Sequence, residues 1–278
     1  MAGGSSAGYL GPMKVAGYQA PLPLGGPERV IEEIARRVRE CEARGIAVLC
    51  CPEAILGGLA DSSDAPARDA IPAADLESLL APLRSDSVTS IVGFSELGGD
   101  GRLYNSAAVL ERGRVAGVYR KIHPAIRRSV YAAGSEAAVF RAAGITFGIL
   151  ICNDSNDPEL ARCLCAQGAT VLFIPTNNGL PIGRASAKLN AAARAADIRL
   201  ATGNRVWVVR ADVVASDGRL MSFGSSRLWI RTAMWCAKAG AIATIYWWRT
   251  FRRAPAVTAA APAYVALDTP YNRSRAGW

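Results

Sequence analysis

Thr146-Phe-Gly-Ile-Leu-Ile-Cys-Asn-Asp154 begins as an unbroken apolar run and ends abruptly in polar residues, with Pro158-Glu159 close behind. A continuous apolar run of this length predicts a strand buried on both faces, here 146–152. Pro158 fits the first position of a helix, and the spacing predicts one over 158–167. A second apolar run, 169–175, predicts the next strand. A buried strand, a helix and another buried strand in immediate succession point to a layered α/β domain.

The alternation extends in both directions. Upstream, Met13-Lys-Val-Ala-Gly-Tyr-Gln19 reads as a strand and Pro27 opens an amphipathic helix. Val30, Ile31, Ile34, Val38 and Cys41 share one face of that helix, and Gly45 ends it. Ile46-Ala-Val-Leu-Cys-Cys51 is another apolar run, closed by Pro52. A helix is predicted at 73–81, with strands at 90–95, 106–110 and 115–119. Downstream, a long Ala/Arg helix at 185–198 precedes a strand at 206–212. No internal repeat is visible. The domain is predicted to cover 13–227, after a flexible leader, 1–12.

Composition narrows the classes. The chain has 278 residues, 51% hydrophobic and 20% charged, enough apolar material for one large core and too much for a disordered chain. Its single histidine, His123, excludes a His-rich zinc site. Of the net charge of +9, +7 falls after Ser226, where eight Lys/Arg face one acid, Asp268. The basic excess therefore belongs to a tail and gives the main domain no nucleic-acid-binding face. The N-terminus lacks a signal-peptide pattern, and the longest late apolar run is half a membrane span. A cytoplasmic protein with reduced thiols, binding neither nucleic acid nor membrane, is expected.

Three reactive groups lie just beyond strand ends. Glu53 follows Pro52, Lys121 stands in Tyr119-Arg-Lys-Ile-His-Pro124, and Cys152 closes the run quoted first. In α/β sheets, residues from distant segments converge on a ligand at strand ends. Singly, each has an ordinary reading: a small core thiol, a solvated loop acid, a surface lysine. Cys50, Cys51, Cys163 and Cys165 are read as core residues of the first kind. Together the three form a chemical set. A thiol must lose its proton to attack, a carboxylate can take it, and a lysine can hold the oxyanion that results.

With those residues in view, the chain resembles the nitrilase superfamily of carbon-nitrogen hydrolases. The likeness is carried by Leu49-Cys-Cys-Pro-Glu53, Tyr104-Asn-Ser106, Tyr119-Arg-Lys121 and Gly148-Ile-Leu-Ile-Cys-Asn-Asp154 with Pro158-Glu159. Phe173-Ile-Pro175 with Asn177, and Ala193-Arg-Ala-Ala-Asp-Ile-Arg199 before Val206-Trp-Val-Val209, extend it. The resemblance implies a four-layer α-β-β-α sandwich, commonly dimerised, and a Glu-Lys-Cys triad. Carried over, Cys152 is the nucleophile and Glu53 the general base and acid. Lys121 and the backbone amide of Asn153 hold the oxyanion, and Asn177 lies at the substrate. It also implies a small-molecule amide-type substrate, a homodimer or higher homo-oligomer, and no metal or organic cofactor. Asn153, where nitrilases often carry Trp, favours amide or carbamoyl substrates over nitriles.

Two departures stand out. Many members carry a second acid in the loop after the lysine, where this chain has Ala125-Ile-Arg-Arg-Ser-Val-Tyr-Ala-Ala-Gly134; Arg127 takes its place and Glu136 follows the glycine. The second is the tail, which carries five of the six tryptophans and lacks the family's turn and last strand. Trp and Met have one codon each. Read from the third base of each codon, Leu228 to Cys236 permits Val-Asp-Pro-Asp-Gly-Asn-Val-Val, a turn between two half-strands. The same shift turns Ile245 to Phe251 into an apolar strand. A single-base slip near Arg227 is therefore expected, with 228–278 as non-native sequence and the final strands missing or replaced. The competing functions are a catalytically impaired member, nitrile hydrolysis by the same triad, and an RNA or membrane binder driven by the tail.

Overall fold

A computed structural model describes residues 13–21, 26–59, 70–124, 130–178, 180–181, 186–216, 220–224, 226–229, 235–238 and 249–251. The leader 1–12, Arg127 with its loop, and most of the tail lie outside the described residues.

In chain order, β1 (Met13–Gly17) and β2 (Ala20–Pro21) precede α1 (Pro27–Ala43), β3 (Val48–Cys50) and β4 (Ile71–Pro72). Then come α2 (Leu76–Leu80), β5 (Thr89–Leu97), β6 (Leu103–Glu111) and β7 (Arg114–Arg120). The second half supplies β8 (Val139–Ala142), β9 (Ile145–Ile149), α3 (Pro158–Ala166), β10 (Val171–Pro175) and β11 (Leu180–Pro181). It continues with α4 (Ser186–Asn204), β12 (Trp207–Ala211), β13 (Val213–Ser216) and β14 (Leu220–Phe223). β15 (Arg227–Trp229), β16 (Trp235–Lys238) and β17 (Arg249–Phe251) complete the order.

The strands build two large sheets. One has the order β17-β1-β3-β5-β6-β7, with β4 also on β5; the other runs β16-β15-β12-β10-β9-β8. A smaller sheet joins β11, β14, β13 and β2. The sheets share an apolar filling in which Val15, Val48 and Ile91 meet Ile149, Phe173 and Val209. Outside the first sheet, Ile31, Ile34 and Val38 of α1 and Leu76 of α2 join a second cluster with Leu49 and Val92. Outside the other, Leu160 and Leu164 of α3 and Leu200 of α4 pack with Leu150, Leu172 and Val208. Helices thus cover both outer faces of the paired sheets. The central strands are apolar on both sides because each separates two cores.

Three local expectations change. The helix expected at 73–81 is only one α-turn, α2, between 3₁₀ segments Ala73–Asp75 and Ala81–Leu83. Pro72 and Pro82 bound it, since proline cannot donate a helical hydrogen bond and disfavours helix before it. The strand expected at 146–152 stops at Ile149, and Cys152 starts a 3₁₀ turn, Cys152–Asn156. The final strands, expected to be missing or replaced, are not missing: β15 pairs with β12 and with β16, and β17 lies antiparallel to β1, so tail residues form one edge of each large sheet.

Candidate active site

Glu53 sits on a turn that leaves β3 after Cys50. The turn presses so closely on β5 that a side chain at Gly93 would collide with Pro52 O and meet Glu53 Cα at 2.9 Å. Glycine at 93 is what admits it. Glu53 is 2% exposed, so it is no solvated loop acid. Asn105 Nδ2, from β6, donates to Oε1 at 2.7 Å, and the Asn177 N–H donates to Oε2 at 2.9 Å.

Lys121 is reached by alternation along β7. Arg120 turns to the other side and binds Glu96, while Lys121, 3% exposed, turns inward. Its N–H donates to Asn105 O at 2.8 Å, which places it beside Glu53, and its Nζ donates to Glu53 Oε1 at 2.5 Å. Burial works against the Lys121 charge, but Glu53 and the neighbouring sulfur outweigh it and hold the ammonium above its ordinary value.

Cys152 stands at the head of the 3₁₀ turn with φ +47°, a left-handed conformation that side chains rarely adopt. Asp154 forces this turn. Its carboxylate accepts from the Ile151 N–H at 3.0 Å, the His123 N–H at 2.7 Å and the Tyr119 hydroxyl at 2.8 Å. Ser155 Oγ donates to Cys152 O at 2.7 Å. Behind it Arg210, 1% exposed, donates to Ser155 Oγ at 3.0 Å, to Thr176 Oγ1 at 2.6 Å and to both oxygens of buried Asp197. One guanidinium therefore braces the turn carrying Cys152 and the strand end whose Asn177 N–H holds Glu53.

Electrostatically the three groups form one system. Burial, then the charge of Glu53, push the Cys152 thiol up to about 12, with Lys121 and Arg210 pulling the other way. Burial and the Glu53 charge thus favour the thiol over a standing thiolate at Cys152. Among the described residues three donors meet the Glu53 carboxylate, which has about four lone-pair positions. The Lys121 ammonium keeps donors beyond the one given to Glu53.

The other expected residues reach the site differently. Asn153 turns its side chain away, donating to His123 O at 3.1 Å and accepting from Asn156 Nδ2 at 3.1 Å. Asn177 meets Glu53 through its backbone, and the side chain beside the sulfur is that of Asn178, whose Oδ1 lies 3.8 Å from Cys152 Sγ. Sequence reading did not single out Asn105, Asn178 or Arg210. Asn105 alone had a signal, inside Tyr104-Asn-Ser106. Glu136, beyond Gly134, is exposed. Cys50 and Cys51 are buried, and Cys163 and Cys165 pack against the outer core, as expected of core thiols. Among the described residues no group of three His, Cys, Asp or Glu could hold a metal ion, and no helix is long and apolar enough to cross a membrane.

The model of the carbon-nitrogen hydrolase family matches residues 14–241. The chain belongs to this family, the nitrilase superfamily. Among its relatives, a nitrilase of Pyrococcus abyssi is 30% identical over 77% of this chain and 80% of its own length. An (R)-stereoselective amidase of a Pseudomonas species is 30% identical, and the match covers 64% of each chain. This carbon-nitrogen hydrolase thus spans under two thirds of that amidase's length. In fold it is similar to a carbon-nitrogen hydrolase of Helicobacter pylori, with TM-score 0.71, 20% identity and coverage of 87% of this chain and 89% of that one. It is equally similar to an amidase of Nesterenkonia, with TM-score 0.71, 18% identity and coverage of 87% and 91%.

Proposed function

We propose that the protein hydrolyses the C–N bond of a small, non-peptide amide or carbamoyl compound through a thioester on Cys152, releasing ammonia or an amine. The observation that carries this reading is the buried Lys121–Glu53 contact at 2.5 Å, electrostatically coupled to the Cys152 thiol. Glu53 takes the thiol proton as sulfur attacks the carbonyl carbon. The oxyanion forms against Lys121 Nζ and the Asn153 N–H, one of the N–H groups left over at the head of a helical turn. Glu53 passes its proton to the leaving nitrogen, the C–N bond breaks, and the thioester remains. Water then gives a proton to Glu53 and attacks the thioester, and the departing sulfur recovers that proton. Every step uses groups of this chain and water. The working form is a homodimer or higher homo-oligomer in the cytoplasm.

Asn153 after the nucleophile favours amide and carbamoyl substrates over nitriles. Nitrile hydrolysis by the same groups is the second reading, and the Pyrococcus relative's name supports it. Ammonia release from matched amides, carbamoyl compounds and nitriles tests both. Release from amides or carbamoyl compounds that disappears in Cys152→Ala and Glu53→Gln is expected; release from nitriles alone contradicts the first reading.

The domain proper covers 13–227, and residues 228–278 are the product of a one-base slip. The shifted reading puts its turn between the two strands that β15 and β16 occupy, and its last apolar strand overlaps β17. The activity is therefore encoded in full but supported by substitute edge strands, which makes an impaired enzyme the expected form of this chain. The coding DNA of related strains tests the slip: an undisturbed frame that plainly encodes this tail contradicts it.

A further inference from the structure

The peptide between Cys152 and Asn153 is held from behind. Its oxygen, Cys152 O, accepts from Ser155 Oγ at 2.7 Å, and Ser155 Oγ accepts from Arg210 Nη2 at 3.0 Å. The direction of this chain is forced. A guanidinium only donates, so the one hydroxyl proton of Ser155 is left for Cys152 O. Both groups lie inside the protein, with Ser155 4% exposed and Arg210 1%. Arg210 is in turn anchored by both oxygens of Asp197 and by Thr176 Oγ1, whose own proton goes to Ile174 O. Serine hydroxyls often bond back to a carbonyl three residues earlier. Such a turn needs no buried cation behind it, and here there is one.

A peptide is planar and trans, so its C=O and N–H point in opposite directions. Fixing Cys152 O therefore fixes the direction of the Asn153 N–H, the group proposed above to hold the oxyanion. The hold matters because Cys152, at φ +47°, sits in left-handed backbone that a side chain disfavours, and half a turn of this peptide would aim the N–H away from the substrate. Hydrogen bonds in a chain also polarise one another, so a peptide whose oxygen is bonded becomes a stronger donor at its nitrogen, the more so when a cation starts the chain. We propose that Ser155 and Arg210 are positioning residues for the oxyanion: the guanidinium polarises the hydroxyl, the hydroxyl holds Cys152 O, and the Asn153 N–H of the same peptide is thereby aimed and strengthened. This rests on the reading of Cys152 as nucleophile and goes beyond it, since neither side chain touches the substrate. Their effect is largest once charge has developed on oxygen, because a neutral carbonyl draws less on the donor than an oxyanion does.

The test is reversible addition of Cys152 to an aldehyde. An S–C bond forms as the thiol adds across the C=O, and the thiol proton passes by way of Glu53 to the oxygen, which takes the oxyanion's place. The probes are butyraldehyde and benzaldehyde, each compared with the alcohol of the same skeleton, which cannot add. Protection of Cys152 in the full chain against methyl methanethiosulfonate, read from peptide mass, gives the concentration of each probe that halves labelling. In at least one pair the aldehyde is expected to act at a concentration about 10²-fold below its alcohol. Ser155→Ala should raise the aldehyde concentration about tenfold and leave the alcohol within about twofold. Ser155→Thr keeps the hydroxyl and should stay within about threefold of the unaltered chain. Arg210→Met with Asp197→Leu, which removes the cation without stranding its partner, should fall between Ser155→Ala and the unaltered chain. No aldehyde preference in either pair, a preference undiminished in Ser155→Ala, or equal weakening of aldehyde and alcohol overturns the proposal. A preference lost in Ser155→Ala, in a chain that releases no ammonia from any amide, contradicts the proposed hydrolysis and leaves this inference standing. Ammonia release with a preference that Ser155→Ala leaves intact does the reverse.

Discussion

Cys152 combines an unfavourable backbone angle with a thiol that burial and Glu53 keep protonated. Both features can be measured. Labelling of Cys152 by a neutral thiol reagent should keep rising with pH beyond 9, where an ordinary thiol levels off, because its thiolate forms only near 12. Glu53→Gln removes the negative charge that raises the thiol, so labelling at pH 8–9 should quicken while turnover falls by about 10²–10⁴-fold, as for loss of a general base. Unchanged labelling in that variant would place Glu53 away from the sulfur. The φ of +47° makes a second expectation. Cys152→Gly should be more stable than Cys152→Ala by about 1 kcal/mol in urea unfolding, because glycine adopts this angle without penalty.

At the scale of elements, the site depends on two close packings. The Glu53 turn lies on β5 only because residue 93 has no side chain, so Gly93→Ala should cost about 1–3 kcal/mol and displace the carboxylate from Lys121 and Asn177. Thermal unfolding together with turnover measures both effects. Arg210→Met should cost more, about 3–5 kcal/mol, because it strands the buried charge of Asp197. Denaturant unfolding checks this, and the double variant Arg210→Met with Asp197→Leu should recover much of the loss. These packings explain what sequence could reveal. Glu53 and Cys152 were legible because each follows an apolar run, which announces a central strand, and Lys121 because it follows the end of the edge strand β7. Asn178 was not, since the second Asn of Pro175-Thr-Asn-Asn178 reads as any loop residue until Asp212, distant in sequence, fixes its orientation. Arg210 was hidden inside an apolar strand whose charge makes sense only once Asp197 arrives from α4. The length of α2 was overestimated because an apolar helical period says nothing of the prolines that bound it.

For the whole molecule, the paired sheets place the site where strand ends from both meet, and the tail makes one edge of each sheet, opposite β7 and β8. β17 on β1, and β16 on β15, close edges that would otherwise expose unpaired backbone. The family match runs to 241, past the 227 proposed as the end of the native domain. A chain with the reading frame restored after Arg227 should unfold several degrees higher and turn over amides faster than the chain as it stands. Equal melting temperature and equal activity would mean that the tail is a native part of the fold.

The most direct measurement is the mass of the peptide carrying Cys152 after acid quenching of the full chain mixed with a panel of carboxamides and carbamoyl compounds. Hydrolysis through a thioester predicts that at least one substrate adds its acyl mass to Cys152, and that Glu53→Gln abolishes the adduct together with ammonia release. Unmodified Cys152 across the panel, with or without ammonia in solution, would contradict it.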